Sequence, residues 1–318
     1  MRYDTVFTNG VVKSRERFLL GDKIERMADG TLAEAFRVLK ESGFGGDAVA
    51  DSDADVDLLI RAEERAVNAF IREYAPDDKT EAFLLADYDF HNAEALVKCK
   101  YAGASEEKTL GEEGVYTVEE LKKVIDGEPC ERKVDGILLK TVAAAVEDFA
   151  EGTANGFTVD CTFKRGLFEY MQKSARGKKL KEILSGRADA ANVSSALRSR
   201  DFTLAEKMLV AGGTLPVSHI KELCEQPYEA IKQGDFEDWI KEAVIASERA
   251  MPLTQAEKRS DDLALELLFL TRYEMIGFEP FLLYVLRRRA EIRNVRIVTV
   301  SLAAGLSPQQ IRNKLRKY

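Results

Sequence analysis

The sequence predicts an all-α protein, and three observations carry that prediction. Its 318 residues include only seven prolines, beside 45% apolar and 32% charged residues, and strong helix formers dominate the mix. Apolar residues recur at three- and four-residue steps along much of the chain, the period of a helix with one buried face. Helix-start signals stand where those periods begin. A chain of this length can bury a substantial core in one large or two medium domains. The expectation is a single helical domain over residues 1–318.

The elements follow in order. The opening MRYDTVFTNG lacks the apolar centre of a secretory signal. A helical pattern from Glu34 to Lys40 runs into Gly43-Phe44-Gly45-Gly46. No strand pattern precedes these glycines and no Lys-Ser/Thr closes them, so Gly43 reads as a helix C-cap and not as part of a phosphate cradle. Residues 51–57, Asp-Ser-Asp-Ala-Asp-Val-Asp, resemble the start of a calcium loop, but the required Gly and Glu positions hold Val56 and Ala62. They read as an acidic surface loop leading into a helix at Leu58. On that helix Ile60, Val67, Phe70, Ile71 and Tyr74 share a face, with Glu63, Glu64 and Arg72 placed elsewhere. Thr117 and Glu120 form a capping box ahead of Leu121, Val124 and Ile125. Leu138, Leu139, Val142, Ala145, Val146 and Phe149 make a further helical stripe. Trp239, in Phe236-x-x-Trp239-Ile240, reads as helix packing. The best apolar run, Leu263 to Leu270, contains Glu266 and falls well short of the ~20 residues a membrane span needs. Asn294 to Ser301 is rich in β-branched residues and scores as strand on propensity alone, yet it is expected to be helical. Ser307-Pro308 then starts a last short helix.

An internal repeat supports that expectation. A carboxylate, two variable residues, an Asn and a small apolar residue occur as Asp89-x-x-Asn92-Ala93, Asp189-x-x-Asn192-Val193 and Glu291-x-x-Asn294-Val295. Each copy is followed by a glycine (Gly114, Gly213, Gly305) and a helix-start pattern. The spacing implies three similar helical units of about 100 residues each. Residues three apart share a helix face, so each carboxylate sits beside its Asn. The pair is expected to make structural hydrogen bonds, with contact to a partner as the alternative.

Signals for chemistry are weak. The two histidines are His91 and His219. His219 and Cys224 are five apart and point to different helix faces, and no other ligand pair lies near them in sequence. There is no G-x-S-x-G, and no cysteine has a recognisable histidine partner. Catalytic, cofactor and metal-ligating residues are therefore all expected to be absent. The four cysteines, Cys99, Cys130, Cys161 and Cys224, are widely spaced, as reduced thiols would be. Net charge is −8, but Leu286 to Tyr318 holds nine basic residues and one acid, a local +8 against −16 elsewhere. That polarity indicates an assembly surface or an intramolecular match. The candidate interface residues are Arg287, Arg288, Arg289, Arg296, Arg312, Lys314, Arg316 and Lys317. Without interleaved aromatics and within an acidic chain, nucleic acid is not an expected partner.

Three stretches together resemble a known family. They are Tyr284-x-x-x-Arg288-x-x-Glu291-x-x-Asn294-Val-Arg-Ile-Val298 with Gly305-Leu-Ser-Pro308-x-x-Ile311-Arg312-x-x-Leu315; Asn9-x-x-Val12-x-x-Arg15-Glu16-x-x-Leu19-Leu20 with Glu34-Ala35-x-x-x-Leu39-x-x-x-Gly43-Phe44-Gly45; and Asp89-x-x-Asn92 with Lys98-x-Lys100-Tyr101. The pattern is similar to the C subunit of V-type (archaeal and bacterial) ATPases and ATP synthases, the counterpart of the d subunit of eukaryotic V-ATPases. Asp47 to Asp57 departs from it in being more acidic and extended. The resemblance implies three units, near 1–125, 126–230 and 231–318, arranged with pseudo-threefold symmetry as a funnel. It implies no cofactor, and a non-catalytic rotor role between the central-stalk subunits and the membrane rotor ring, on the cytoplasmic face. A stand-alone helical scaffold binding other proteins is the alternative; its usual period of 30–45 residues does not match. An enzyme using carboxylate-held metal is a third reading.

Overall fold

The structure is a computed structural model, described for residues 4–103, 105–249, 251 and 253–318. Its regular structure is helical, and no strand occurs among the described residues. In chain order the helices are α1 (Thr5–Arg15), α2 (Lys23–Ala28), α3 (Leu32–Glu41), α4 (Val56–Tyr74), α5 (Asp78–Ala102), α6 (Glu106–Thr109), α7 (Val118–Asp126), α8 (Gly136–Ala150) and α9 (Gly156–Ser174). They continue as α10 (Gly177–Ser199), α11 (Phe202–Met208), α12 (Val217–Glu225), α13 (Pro227–Gln233), α14 (Asp238–Glu248), α15 (Thr254–Leu268), α16 (Glu279–Ala303) and α17 (Pro308–Arg312). The first three residues of the opening segment lie outside the described residues.

The caps expected at Thr117, Ser307 and Gly43 are present, and the structure adds one at Thr31. Thr31–Glu34, Thr117–Glu120 and Ser307–Gln310 form capping boxes that satisfy the first free amides of α3, α7 and α17. Gly43 ends α3 in a left-handed conformation (φ +70°). Its N–H donates to the Lys40 carbonyl and that of Phe44 to the Leu39 carbonyl, the crossed pair of a Schellman motif. In the acidic loop the Asp55 carboxylate accepts the amides of Asp51 and Ser52, which lowers its pKa. That carboxylate serves as a cap for the turn before α4. Asn294 to Ser301 is helical, inside α16: Val295 and Val298 are buried, and packing of the helix outweighs β propensity.

Two compact units divide the chain: residues Met1–Thr80 with Lys258–Tyr318, and residues Glu81–Glu257. In the first, α16 packs against α1, α2, α3 and α4. Phe70 of α4 stacks on Phe281 of α16 (ring centroids 5.5 Å) and tilts against Tyr284 (5.1 Å). Leu59, Ile60, Ile71 and Phe281 are fully enclosed, each side chain contributing roughly 1.5–3 kcal/mol by burial. Glu63, expected off the apolar face, is buried as well. It lies three residues after Ile60 and four before Val67, so helix geometry puts it in the same stripe.

The second unit has two principal cores. In one, Phe90, Ala93 and Val97 of α5 meet Leu121 and Ile125 of α7, Leu138 and Val142 of α8, and Phe163 of α9. Within the α8 stripe Leu139 is exposed, and Val146 and Phe149 are half-buried. The other core joins Val193 and Leu197 of α10 to Leu223 of α12, Ile240 and Val244 of α14, and Ala256 of α15, with Trp239 packed against it.

Three long helices stand out by their shared register. α5, α10 and α16 have 25, 23 and 25 residues. The repeated carboxylate is the twelfth residue of α5 and the thirteenth of both α10 and α16.

Candidate functional site

The three repeated asparagines do the same thing. Asn92 Nδ2 donates to the Glu112 carbonyl (2.9 Å), and the Gly111 N–H donates to Asn92 Oδ1 (2.8 Å). Asn192 Nδ2 donates to the Val210 carbonyl (3.0 Å) and its Oδ1 accepts the Val210 N–H (2.9 Å). Asn294 Nδ2 donates to the Arg316 carbonyl (2.9 Å) and Oδ1 accepts the Arg316 N–H (2.8 Å). All three side chains are buried. An amide has one carbonyl and one NH₂, so it can pair with a backbone donor and acceptor as another peptide group would. Each Asn thus brackets a returning segment to its long helix and leaves no polar group of that contact unmatched.

The carboxylates agree in two copies. Asp89 accepts the N–H groups of Val115 (3.1 Å) and Tyr116 (3.0 Å). Asp189 accepts those of Thr214 (2.8 Å) and Leu215 (3.0 Å), and the Thr214 hydroxyl (2.6 Å). The preceding glycines fit under these carboxylates. A Cβ on Gly114 would lie 2.1 Å from Asp89 Oδ1, and one on Gly213 would lie 2.3 Å from Asp189 Oδ1. The third copy differs. Glu291 accepts the Gly21 N–H (3.2 Å), Gly305 is a left-handed residue with open space around it, and Asp262 accepts the Lys317 N–H (2.7 Å). The returning segment at Glu291 comes from the N-terminal part of the chain, so the downstream glycine has no carboxylate to clear.

Glu291 belongs to a buried charge network. Arg288 donates to it at 2.8 Å, donates to the Phe18 carbonyl at 3.3 Å, and pairs with Glu63. Glu63 in turn accepts the Gly45 N–H (2.9 Å). Burial raises the Glu291 pKa, while Arg288 and the Gly21 and Leu20 amides pull against that rise. For Arg288 burial works to lower the pKa, but Glu63 and Glu291 outweigh it and the pKa is raised. Each charge is matched, and the network joins α4, α16 and the loops at Phe18 to Gly21 and at Gly45. A cavity of about 300 Å³ lies beside it, lined by Arg15, Phe44, Phe70 and Tyr284 among others.

The basic C-terminal segment is largely matched within its own unit. Arg316 is buried and reaches Asp261 (3.0 Å). Arg312 meets Glu25 (3.0 Å) and Asp29, Arg296 meets Glu64 (3.3 Å), and Lys317 meets Glu266. Arg287, Arg289 and Lys314 are half-buried. Arg288 and Arg316 are therefore inside the fold, and any charged surface here belongs to the remaining members of the set. The exposed pairs contribute little stability, because water screens them.

No group of three or more His, Cys, Asp or Glu able to hold a metal ion occurs among the described residues. His91 Nε2 faces the Thr109 carbonyl at 3.0 Å, and the His219 ring packs on Phe236 (5.2 Å). The four cysteines are free thiols. No helix among the described residues is long and apolar enough to cross a membrane.

Known proteins match this chain over nearly its whole length. Residues 8–314 match the model of the family described as ATP synthase (C/AC39) subunit. The C subunit of the A-type ATP synthase of Haloferax volcanii is 25% identical, covering 96% of this chain and 95% of the relative. The C subunit of the V-type sodium ATPase of Enterococcus hirae is 18% identical over 97% of each. The C subunit of the V-type ATP synthase of Thermus thermophilus is 23% identical over 74% of each. With a match running nearly end to end, this chain belongs to the ATP synthase (C/AC39) subunit family.

Proposed function

We propose that this protein is the non-catalytic C subunit of a V- or A-type ATPase or ATP synthase, linking the central stalk to the membrane rotor ring. The observation that carries the reading is the family match over residues 8–314, with relatives named as the C subunits of such complexes. Three further features support it. The asparagine brackets recur on three long helices of one register, as three units forming a funnel would have them. Charge matched inside the fold suits a part that transmits torque. The exposed members of the basic set, Arg296 and Lys317 with the half-buried Arg287, Arg289, Arg312 and Lys314, offer a rim for assembly, where charge governs association rate and its salt dependence. The three-unit division near residues 125 and 230 belongs to this proposal, as does a peripheral place on the cytoplasmic face.

Depletion of the protein from its host tests the reading. ATP hydrolysis by the detached head should persist while ATP-driven ion transport into membrane vesicles disappears. Normal coupled transport without this chain would overturn it.

A further inference from the structure

The segment between α15 and α16 is unlike its counterparts. The long helix α5 is entered from α4 through residues 75–77, and α10 from α9 through residues 175 and 176. Those connections are buried or half-buried. The entry to α16 instead runs from Phe269 to Phe278, its first five residues forming a 3₁₀ turn. Phe269, Leu270, Tyr273, Met275 and Ile276 are between 48% and 74% exposed there. Two of the three long helices manage without such a feature, so the fold itself does not demand it. Exposed apolar side chains gathered this closely mark a surface that is covered in use.

The tip is held in place. Thr271, in its middle, is fully buried and donates its hydroxyl to the Leu268 carbonyl (2.6 Å). Asn9 of α1 donates to the carbonyls of Met275 and Gly277, both at 3.1 Å. The apolar side chains thus stand on a fixed base, which lowers the ordering cost of binding.

Charge identifies the occupant. The Arg272 guanidinium lies 4.0 Å from the Phe269 ring centre and 4.6 Å from that of Tyr273, and it also meets the Tyr273 hydroxyl. No carboxylate pairs with it among the described residues. A second copy docked through the same face would set one Arg272 against another. An anionic bilayer would meet Glu274 and Glu279 flanking the single arginine. A protein surface that is apolar with one carboxylate at its centre satisfies both the rings and the cation. Phe, Tyr, Met and Arg are also the residues enriched where proteins bind proteins.

We propose that the tip from Phe269 to Ile276 docks such a carboxylate-bearing apolar surface on a neighbouring polypeptide of the complex, an inference that rests on the function proposed above. The test uses the host's own ATPase complex stripped of this chain, with the purified full-length chain added back. Paired Leu270→Ser and Ile276→Ser substitutions should weaken rebinding about thirtyfold, the scale of a lost hot spot. Arg272→Gln should slow rebinding and flatten its salt dependence. Leu139→Ser, an exposed apolar residue on α8, should leave rebinding unchanged. A photo-crosslinker at position 270 should label a polypeptide of the complex, on a peptide with Asp or Glu among apolar residues. Wild-type rebinding with undiminished variants overturns the docking tip and leaves the functional reading standing. Crosslinks to lipid or to a second copy, or binding of the chain alone to phosphatidylcholine–phosphatidylglycerol vesicles that the serine pair abolishes, also overturn the tip. Failure of the wild-type chain to rebind overturns the functional reading and this inference with it.

Discussion

At the scale of single residues, the bracket asparagines are the side chains least open to change. Asn192 is buried and satisfies both the N–H and the carbonyl of Val210. Cutting it to alanine leaves two buried backbone groups without partners, a loss of about 2–4 kcal/mol from orphaned polar groups. Asn192→Asp keeps the acceptor but loses the donor, and sets a buried carboxylate against the Val210 carbonyl and three residues from the buried Asp189. Near neutral pH it should therefore be at least as destabilised as Asn192→Ala. Urea denaturation of the three proteins checks the order. Equal stability of Asn192→Ala and wild type would mean that the bracket is incidental. The i and i+3 spacing made these pairs legible in the sequence. The partner of the third carboxylate was not, because the amide whose N–H Glu291 accepts belongs to Gly21, 270 residues away.

At the scale of elements, the join between α4 and α16 depends on charges that match only as a set. Removing one partner of a buried ion pair strands the others, at about 3–5 kcal/mol. Arg288→Met alone should therefore be strongly destabilising. Combining it with Glu63→Gln and Glu291→Gln, which keep acceptors for Gly45 and Gly21, should recover most of the loss. Thermal denaturation of the single and triple variants decides this, and a triple variant no more stable than the single would defeat it. The helix starts at Thr117 and Ser307 were legible, since both cap by local hydrogen bonds that local sequence specifies, and Thr31 caps α3 in the same way although it was not singled out. The burial of Glu63 was obscured because its partner lies on α16, far along the chain. Asn294 to Ser301 shows the reverse case: propensity pointed to strand, the repeat register pointed to helix, and the segment lies in α16 with Val295 and Val298 buried.

At the scale of the whole molecule, the first and last parts of the sequence make one unit. A chain ending at Glu257 should lose more helical circular dichroism than the deleted residues carry, because α1 to α4 lose α16 as their packing partner. Loss confined to the deleted segment would show that the first 80 residues fold without it. The brackets have a further consequence, measured in time and not in energy. Gly111, Val210 and Arg316 lie outside the regular helices, where amide protons usually exchange with solvent quickly. Each is tied to a buried side chain, so its proton should leave only when the long helix and its returning segment part. In heavy water these three amides become built-in clocks, one for each long helix, recording how often each joint opens.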